Sequence, residues 1–154
     1  MYILLLALLG GGALQAAEPA PVVAVVSDQL LAEYDAVRLA LSQDKLDEGR
    51  AAAARLAAAH SDDPALLAAA QAVTAGADAA AMRQAFSELS RLLVLRIAAS
   101  SPSPKVLAYH CPMWSGYAWW IQLKSGISNP YMGQAMPTCG EETSLKAAIK
   151  AAGT

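Results

Sequence analysis

The sequence predicts a mainly α-helical fold: an up-and-down four-helix bundle, then a loop region rich in Cys, Met and Trp with room for a short β-hairpin, and a short C-terminal helix. Two observations support this prediction. Hydrophobic residues make up 56% of the 154 residues, and many of them are alanine, the residue with the highest helix propensity. Apolar residues also recur at steps of three and four along consecutive segments that are joined by short connections, which favours antiparallel helices.

The N-terminal segment is typical of a secretory signal peptide. Every residue from Met1 to Leu9 is apolar, three glycines follow, and small residues suited to cleavage precede the first charge at Glu18. An apolar core of this length is too short for a membrane span, which needs about 20 residues. We therefore expect residues 1–17 to be removed and residues 18–154 to form one helical domain in the periplasm, without membrane contact.

Four helices are predicted within residues 18–100. Their expected bounds are Pro21 to about Leu41, about Leu46 to His60, Pro64 to about Thr74, and Asp78 to about Ala99. Asp44 is expected to cap the second helix and Asp63 the third, because a short acidic side chain accepts hydrogen bonds from free amide groups there. Gly76 is expected to end the third helix.

Apolar stripes predict the buried faces of the first and fourth helices. In the first helix the stripe comprises Val23, Val26, Leu30, Tyr34, Val37 and Leu41. In the fourth it comprises Met82, Phe86, Leu89, Leu92, Leu93 and Ile97, with Arg83, Glu88, Arg91 and Arg96 mostly away from it. This spacing places one side of each helix against the core.

The composition changes after the Ser- and Pro-rich residues 100–104. All three tryptophans, both cysteines, three of the five tyrosines and three of the five methionines lie between Lys105 and Cys139. Residues 105–154 are therefore where we expect the function. A short final helix is predicted to run to about Ala152, with Glu141 and Glu142 before it, where acidic residues suit the helix dipole.

Two short sulfur motifs stand out in this region. Cys111 is followed two residues later by Met113, and Met136 is followed three residues later by Cys139. A thiolate and a thioether supplied twice form a soft donor set that suits Cu(I) or Ag(I) and poorly suits Mg²⁺ or Ca²⁺. His110 adds an imidazole, so the sequence predicts a metal site of these five residues, with Cu(I) as cofactor and silver as a further candidate.

A disulfide is the main alternative for the two cysteines. A bond between Cys111 and Cys139 would close a loop of about 29 residues and stabilise the fold by roughly 3 to 4 kcal/mol. The protein would then be a disulfide-stapled interaction module that docks on a cell-envelope partner through its aromatic surface. Reduction would restore the thiols, so both interpretations stay open. A bundle that carries a cofactor on His60 and Met82 is less favoured.

Residues 109–140 resemble the DUF3347 family. The resemblance rests on His110-Cys111-Pro112-Met113, on Asn129-Pro130-Tyr131-Met132-Gly133 and on Met136 with Cys139-Gly140, and it covers roughly residues 28–146. Members of that family are exported helical domains, alone or fused to adaptor subunits of Cus-type heavy-metal efflux pumps. The resemblance implies copper or silver handling with Cys111, Met113, Met136 and Cys139 at the motif positions. It also implies a periplasmic efflux adaptor or another copper protein as partner.

Charge and motifs exclude other classes of function. The chain carries 11 basic and 13 acidic residues, a formal net charge of −2, with no basic stripe, so we expect no nucleic-acid partner. Phosphate-binding glycine loops, paired-histidine helices and Gly-x-Ser-x-Gly elbows are missing from the sequence. Cys111 and His110 are a conceivable nucleophile and base, but adjacent residues rarely point the right way for this, which disfavours a thiol enzyme. We expect a protein that is not an enzyme.

Overall fold

The computed structural model of the chain describes residues 26–154, which form five α-helices, one 3-10 helix and three β-strands. The α-helices are α1 (Asp28–Ser42), α2 (Leu46–Ala59), α3 (Pro64–Ala75), α4 (Ala79–Ala99) and α5 (Leu145–Ala152). The strands are β1 (Leu107–His110), β2 (Trp119–Gln122) and β3 (Glu141–Thr143), and the 3-10 helix is Gly133–Ala135. The predicted mainly helical class is confirmed. The predicted signal peptide, residues 1–17, lies outside the described residues.

Each helix of the first four packs on the next along the chain. Contact between α1 and α4 depends on Tyr34, whose ring centroid lies 5.2 Å from that of Phe86 and whose hydroxyl lies 2.7 Å from Ser90 Oγ. Of the predicted stripe residues, Val26 and Leu92 are half-buried and Val23 lies outside the described residues, whereas these are buried: Leu30, Tyr34, Val37, Leu41, Met82, Phe86, Leu89, Leu93 and Ile97. The bundle core is therefore the one that the periodicity predicts.

The helix starts differ from the prediction in two places. Ser27 caps α1, its Oγ accepting from the Leu30 amide at 3.1 Å, so the prediction that Val26 lies within the helix is wrong. Asp44 does not cap α2: Lys45 occupies the capping position without a side-chain hydrogen bond. Asp44 instead has a left-handed backbone, φ 59°, and its carboxylate pairs with Arg83 of α4. The tertiary ion pair has displaced the local cap.

The cap of α3 agrees with the prediction, and Asp78, predicted as the first residue of the fourth helix, is the cap of α4. Asp63 Oδ1 accepts from the amides of Ala65 and Leu66, both at 3.1 Å, and Gly76 follows the last turn of α3. Asp78 Oδ1 accepts from the Ala81 amide at 2.8 Å. In both cases the cap bonds lie within one turn of the helix, so the sequence suffices to locate them.

The three strands form one antiparallel sheet in the order β2-β1-β3. Tyr109 pairs with Trp120 on one side and with Glu142 on the other. The predicted hairpin is β1-β2, and β3 extends it. Glu141 and Glu142 thus form a strand rather than the approach to the last helix, and Ser144 caps α5 instead. Pairing with β1 outweighs the modest dipole interaction.

The sheet packs on α4 through β2 and on α5 through β1, and α1 reaches it with the side chains of Tyr34 and Arg38. Ser87 and Ser90 of α4 donate their hydroxyls to backbone carbonyls of the sheet region, Ser87 to Tyr117 O at 2.6 Å and Ser90 to Trp119 O at 2.9 Å. Arg38 of α1, 5% exposed, donates to Ser128 O at 2.9 Å. These bonds pair polar groups that the packing removes from water. Within residues 26–154, no helix has the length and apolarity that crossing a membrane requires.

Candidate metal centre

The structure brings the two cysteines together at one end of the sheet. Cys111 follows β1 and extends its ladder, since its amide donates to Ala118 O at 2.9 Å. Cys139 precedes β3, which pairs with β1 in the register His110 to Glu141. Antiparallel pairing of these strands therefore places residue 111 beside the segment that contains residue 139. The Sγ atoms are 4.0 Å apart.

The two thiols differ in exposure. Cys111 is completely buried and Cys139 is half-buried, and both are free. Their separation of 4.0 Å is about twice the length of a disulfide bond, which is about 2.05 Å. Burial raises the pKa of the Cys139 thiol, and the hydrogen bond and proximity of Cys111 raise it further. A soft metal ion that binds here would have to displace the thiol protons.

Each thioether lies in a tight turn with its cysteine. The Trp114 amide donates to Cys111 O at 3.3 Å, which closes the turn that contains Met113. The Cys139 amide donates to Met136 O at 3.1 Å, which closes the turn that begins at Met136. Met113 is 64% exposed and Met136 is 38% exposed. Both methionines are therefore exposed residues within one turn of a cysteine in the chain, and their side chains are flexible and polarizable.

His110 has a different environment. Its ring centroid lies 4.2 Å from that of Trp119, and its Nδ1 lies 3.6 Å from Glu141 Oε1. Consecutive residues of an extended strand direct their side chains to opposite faces. His110 and Cys111 follow each other in the ladder, so the imidazole faces Trp119 and Glu141 on the side of the sheet opposite the Cys111 thiol.

Buried aromatic rings pack together next to Gly140, the residue that follows Cys139. Trp120 is fully buried, and its ring lies 5.5 Å from that of Tyr109 and 5.9 Å from that of Tyr131. Gly140, next to Cys139, has φ 134°, and a Cβ there would approach His110 O to 2.8 Å and Trp120 Cη2 to 3.0 Å. Only glycine fits this conformation and this close approach.

Asn129 organises the segment that carries the second sulfur motif, residues 128–140, here called the second arm. Its Nδ2 donates to Cys139 O at 2.6 Å, and its Oδ1 accepts from the amides of Tyr131 at 2.7 Å and Met132 at 3.1 Å. Its own amide donates to Pro137 O at 2.9 Å. Asn129 is completely buried, and all these polar groups are paired.

Two charged residues of the bundle hold the second arm from outside. Arg83 Nε donates to Pro130 O at 3.1 Å, and its guanidinium forms an ion pair with Asp44. Asp44 Oδ2 in turn accepts from the Gln134 amide at 3.1 Å. A Cβ at Gly133, where φ is 54°, would collide with both Asp44 and Arg83. The arm is therefore packed tightly onto this ion pair.

Sequence reasoning missed these three supporting residues. It named Asn129 as part of a family motif, Asp44 as a helix cap and Arg83 as a residue mostly away from the buried face. The Asn-Pro pair does indicate a turn in which the Asn oxygen bonds amides further along the chain. The bond from Asn129 to Cys139 and the ion pair between α4 and Asp44 join residues far apart in sequence, and no local pattern indicates them.

The described residues, 26–154, contain no group of three or more His, Cys, Asp or Glu side chains arranged to hold a metal ion. The candidate site therefore consists of the two cysteine thiols, with the methionine thioethers as additional soft donors. No protein family, curated protein or solved structure matches the chain.

Proposed function

We propose that this protein binds one Cu(I) or Ag(I) ion between Cys111 and Cys139, in the service of copper homeostasis or of transfer to an efflux system in the periplasm. The observation that supports this most strongly is the Sγ–Sγ distance of 4.0 Å. Thiolate–metal bonds of about 2.3 Å, the length known for zinc, separate two sulfurs by about 4.0 Å at a sulfur–metal–sulfur angle of about 120°.

The chemistry of the neighbours fits a soft monovalent ion. Met113 and Met136 supply two more sulfur donors in turns next to the thiols, and soft thiolate and thioether ligands select Cu(I). Buried Cys111 is the inner ligand of the proposed site, and the exposed thioethers are its solvent side. His110 is engaged with Trp119 and Glu141, so the proposal relies on the four sulfurs.

The cellular setting of the proposal comes from the sequence. The apolar N-terminus predicts export, and the resemblance of the sulfur motifs to the DUF3347 family favours copper or silver handling next to an efflux adaptor. An exported protein meets an oxidising compartment, where a bound soft ion would protect the two thiols from forming a disulfide.

The test is a Cu(I) titration of the reduced protein against a competing chelator, with free thiols counted in parallel. We expect one ion per chain. Replacing both cysteines, Cys111→Ser with Cys139→Ser, should weaken binding by more than about 100-fold, or about 2.7 kcal/mol. Far-UV circular dichroism should stay unchanged because the helices do not depend on the thiols. Unchanged affinity in the double variant would overturn the proposal.

The thioethers are tested with a matched control. Met113→Leu and Met136→Leu should each weaken Cu(I) binding by about tenfold, or about 1.4 kcal/mol. Met132→Leu replaces a methionine of the same arm that is half-buried, and it should leave the affinity unchanged. Equal losses in all three variants would show that the effect comes from packing and not from ligation.

The same thiol distance favours a second candidate. The sulfurs are near enough to form a disulfide after small side-chain rotations, which would make the protein a stapled module that docks on a cell-envelope partner. That function predicts no free thiols in the isolated protein, no Cu(I) binding in either redox state and a large fall in melting temperature on reduction. The thiol count and the titration together separate the two candidates.

A further inference from the structure

Asn129 is the residue of the second arm whose side chain bonds the backbone of a cysteine. The amide Nδ2 donates to Cys139 O at 2.6 Å, and the Oδ1 of the same side chain is occupied by the amides of Tyr131 and Met132. A completely buried amide whose oxygen accepts two hydrogen bonds and whose nitrogen donates one is fixed in orientation, because breaking any of these bonds in the core costs free energy. The backbone carbonyl of Cys139 is therefore bonded to a side chain of fixed orientation.

Hydrogen bonds to the carbonyls on both sides of Asn129 in turn fix this residue to the bundle. The carbonyl before Asn129, Ser128 O, accepts from Arg38 of α1 at 2.9 Å. The carbonyl after it, Pro130 O, accepts from Arg83 of α4 at 3.1 Å. Two helices thus set the position of Asn129, while Cys111 is set by the sheet. The distance between the two thiols depends on this path through Asn129.

We infer that Asn129 is the positioning residue of the thiol pair: it holds the Cys139 backbone so that the two sulfurs face each other at 4.0 Å. The inference deepens the proposed function and rests on it for the purpose of the pair. The ion pair of Asp44 and Arg83 supports the same arm at its outer end through the Gln134 amide. Loss of the Asn129 bond to Cys139, or of the Asp44–Arg83 ion pair, should lower the effective concentration of one thiol at the other.

The effective concentration is measured without metal, by equilibrating the protein with glutathione. One oxidised glutathione takes two electrons and two protons from the Cys111 and Cys139 thiols, which yields the protein disulfide and two reduced glutathiones. The ratio of protein disulfide to dithiol is measured by alkylating the free thiols and determining the mass of the intact protein by mass spectrometry. The half-buried Cys139 gives glutathione access to the pair.

Asn129→Asp is the principal variant. It keeps an oxygen for the amides of Tyr131 and Met132 but replaces the donor to Cys139 O by a second oxygen, which repels that carbonyl. At pH 7.5 we expect the equilibrium constant for disulfide formation to fall by about tenfold or more. Ser128→Ala is the matched control: it removes a neighbouring side-chain bond, from Ser128 Oγ to Ser42 Oγ, and should leave the constant unchanged.

A loss of global stability alone does not produce this result, because in a destabilised variant the folded molecules keep their thiols in place as long as the contact that positions Cys139 is intact. An unchanged constant in Asn129→Asp, or an equal fall in Ser128→Ala, would overturn the inference. Circular dichroism reports whether Asn129→Asp folds. If it does not fold, Asp44→Gly decides: this half-exposed position has φ 59°, which glycine tolerates, and the change frees the outer end of the arm.

In Asp44→Gly we expect a fall of about threefold in the same constant, and no change would overturn the inference. The proposed function fails separately. If the wild-type protein binds no Cu(I) while Asn129→Asp still lowers the disulfide constant, the metal proposal is wrong and the positioning role stands. If Cu(I) binds tightly while both variants leave the disulfide constant unchanged, the positioning role is wrong and the metal proposal stands.

Discussion

The helical bundle and the sheet region are stabilised in different ways. The bundle, α1 to α4, buries alanine and leucine side chains, and its helices α1, α3 and α4 are capped by side chains of their own first turns. The strands of the sheet region have only three or four residues each. Their neighbouring backbone carbonyls are bonded by side chains of the bundle, including Arg38, Ser87 and Ser90.

This difference indicates that the sheet region depends on contacts with the bundle for its folded structure. One continuous chain of hydrogen bonds illustrates it: the Ile121 amide contacts the Tyr34 hydroxyl at 3.5 Å, which is paired with Ser90 Oγ, which donates to Trp119 O. Strands this short are marginal without such support. The candidate sulfur site lies in the part of the molecule that depends most on contacts across long sequence separations.

The largest effect is expected from Trp120→Ala. This fully buried ring stacks on Tyr109 and meets Tyr131 edge-on, so its removal leaves a large cavity and should cost about 3 to 5 kcal/mol. If the sheet region depends on the bundle but not the reverse, near-UV circular dichroism should lose its signal before far-UV circular dichroism does. Coincident melting curves would break the comparison. Leu123→Ala, at a partly exposed position of the same region, is the control and should change little.

Fold and site were not equally accessible to sequence reasoning. Periodicity located the four helices because burial on one face repeats every turn, and Asp63 and Asp78 marked helix starts because cap bonds are local. Asp44 looked the same in sequence, yet it pairs with Arg83, a residue 39 positions away. A cap and a tertiary ion pair use the same carboxylate, and only the packing decides between them.

The sulfur site shows the same limit. The residue types of Cys111 and Cys139 suggested a shared site, and antiparallel pairing of β1 with β3 does place them together. His110 carries the right donor atom, but strand alternation turns its ring towards Trp119. Residue type therefore drew attention to these positions, whereas which side chains lie together followed from strand register, which the short strands did not reveal in advance.

A second test removes a hydrogen bond that joins the two regions. Arg38→Met removes a buried guanidinium that donates to Asp35 at 2.6 Å and to Ser128 O at 2.9 Å. The carbonyl and the carboxylate lose their partner, so we expect a loss of about 2 to 3 kcal/mol in urea unfolding. Most of that loss should appear in the sheet region's signal. Arg91→Met is the matched control: its pair with Glu88 lies on the surface, and its other bond, to Ala152 O at 3.2 Å, joins α4 to α5 and not to the segment around Ser128.

A third test addresses the bundle alone. Asp63→Ala removes the cap of α3 and the ion pair with Arg96, and should cost about 1 to 2 kcal/mol. Because Asp63 has no bond to the sheet region, the glutathione equilibrium of the two cysteines should stay at the wild-type value. A shift in that equilibrium would show that the regions are coupled more broadly than the hydrogen bonds indicate. Asp47→Ala, which removes a fully exposed carboxylate paired with Arg50, should have no measurable effect.

The smallest expected effect is a dependence of stability on alkaline pH that involves Tyr34, the residue that joins α1, α4 and β2. Burial raises the pKa of its phenol well above the ordinary value, since ionisation would place a charge in the core. A group whose pKa is higher in the fold than in the unfolded chain stabilises the fold below the unfolded pKa, about 10 for tyrosine. That stabilisation is lost as pH rises beyond it.

Between pH 10 and 11, one such tyrosine should therefore reduce the free energy of unfolding by about 1 kcal/mol. Burial also raises the pKa of Tyr117 and Tyr131 in the sheet region, so the wild-type decline combines both regions. Tyr34→Phe should remove its own share and flatten the decline measured by urea unfolding at pH 9, 10 and 11. An equally steep decline in Tyr34→Phe would assign alkaline sensitivity to the sheet region alone, and Tyr34 would then join the two regions only through its hydrogen bonds and its packing on Phe86.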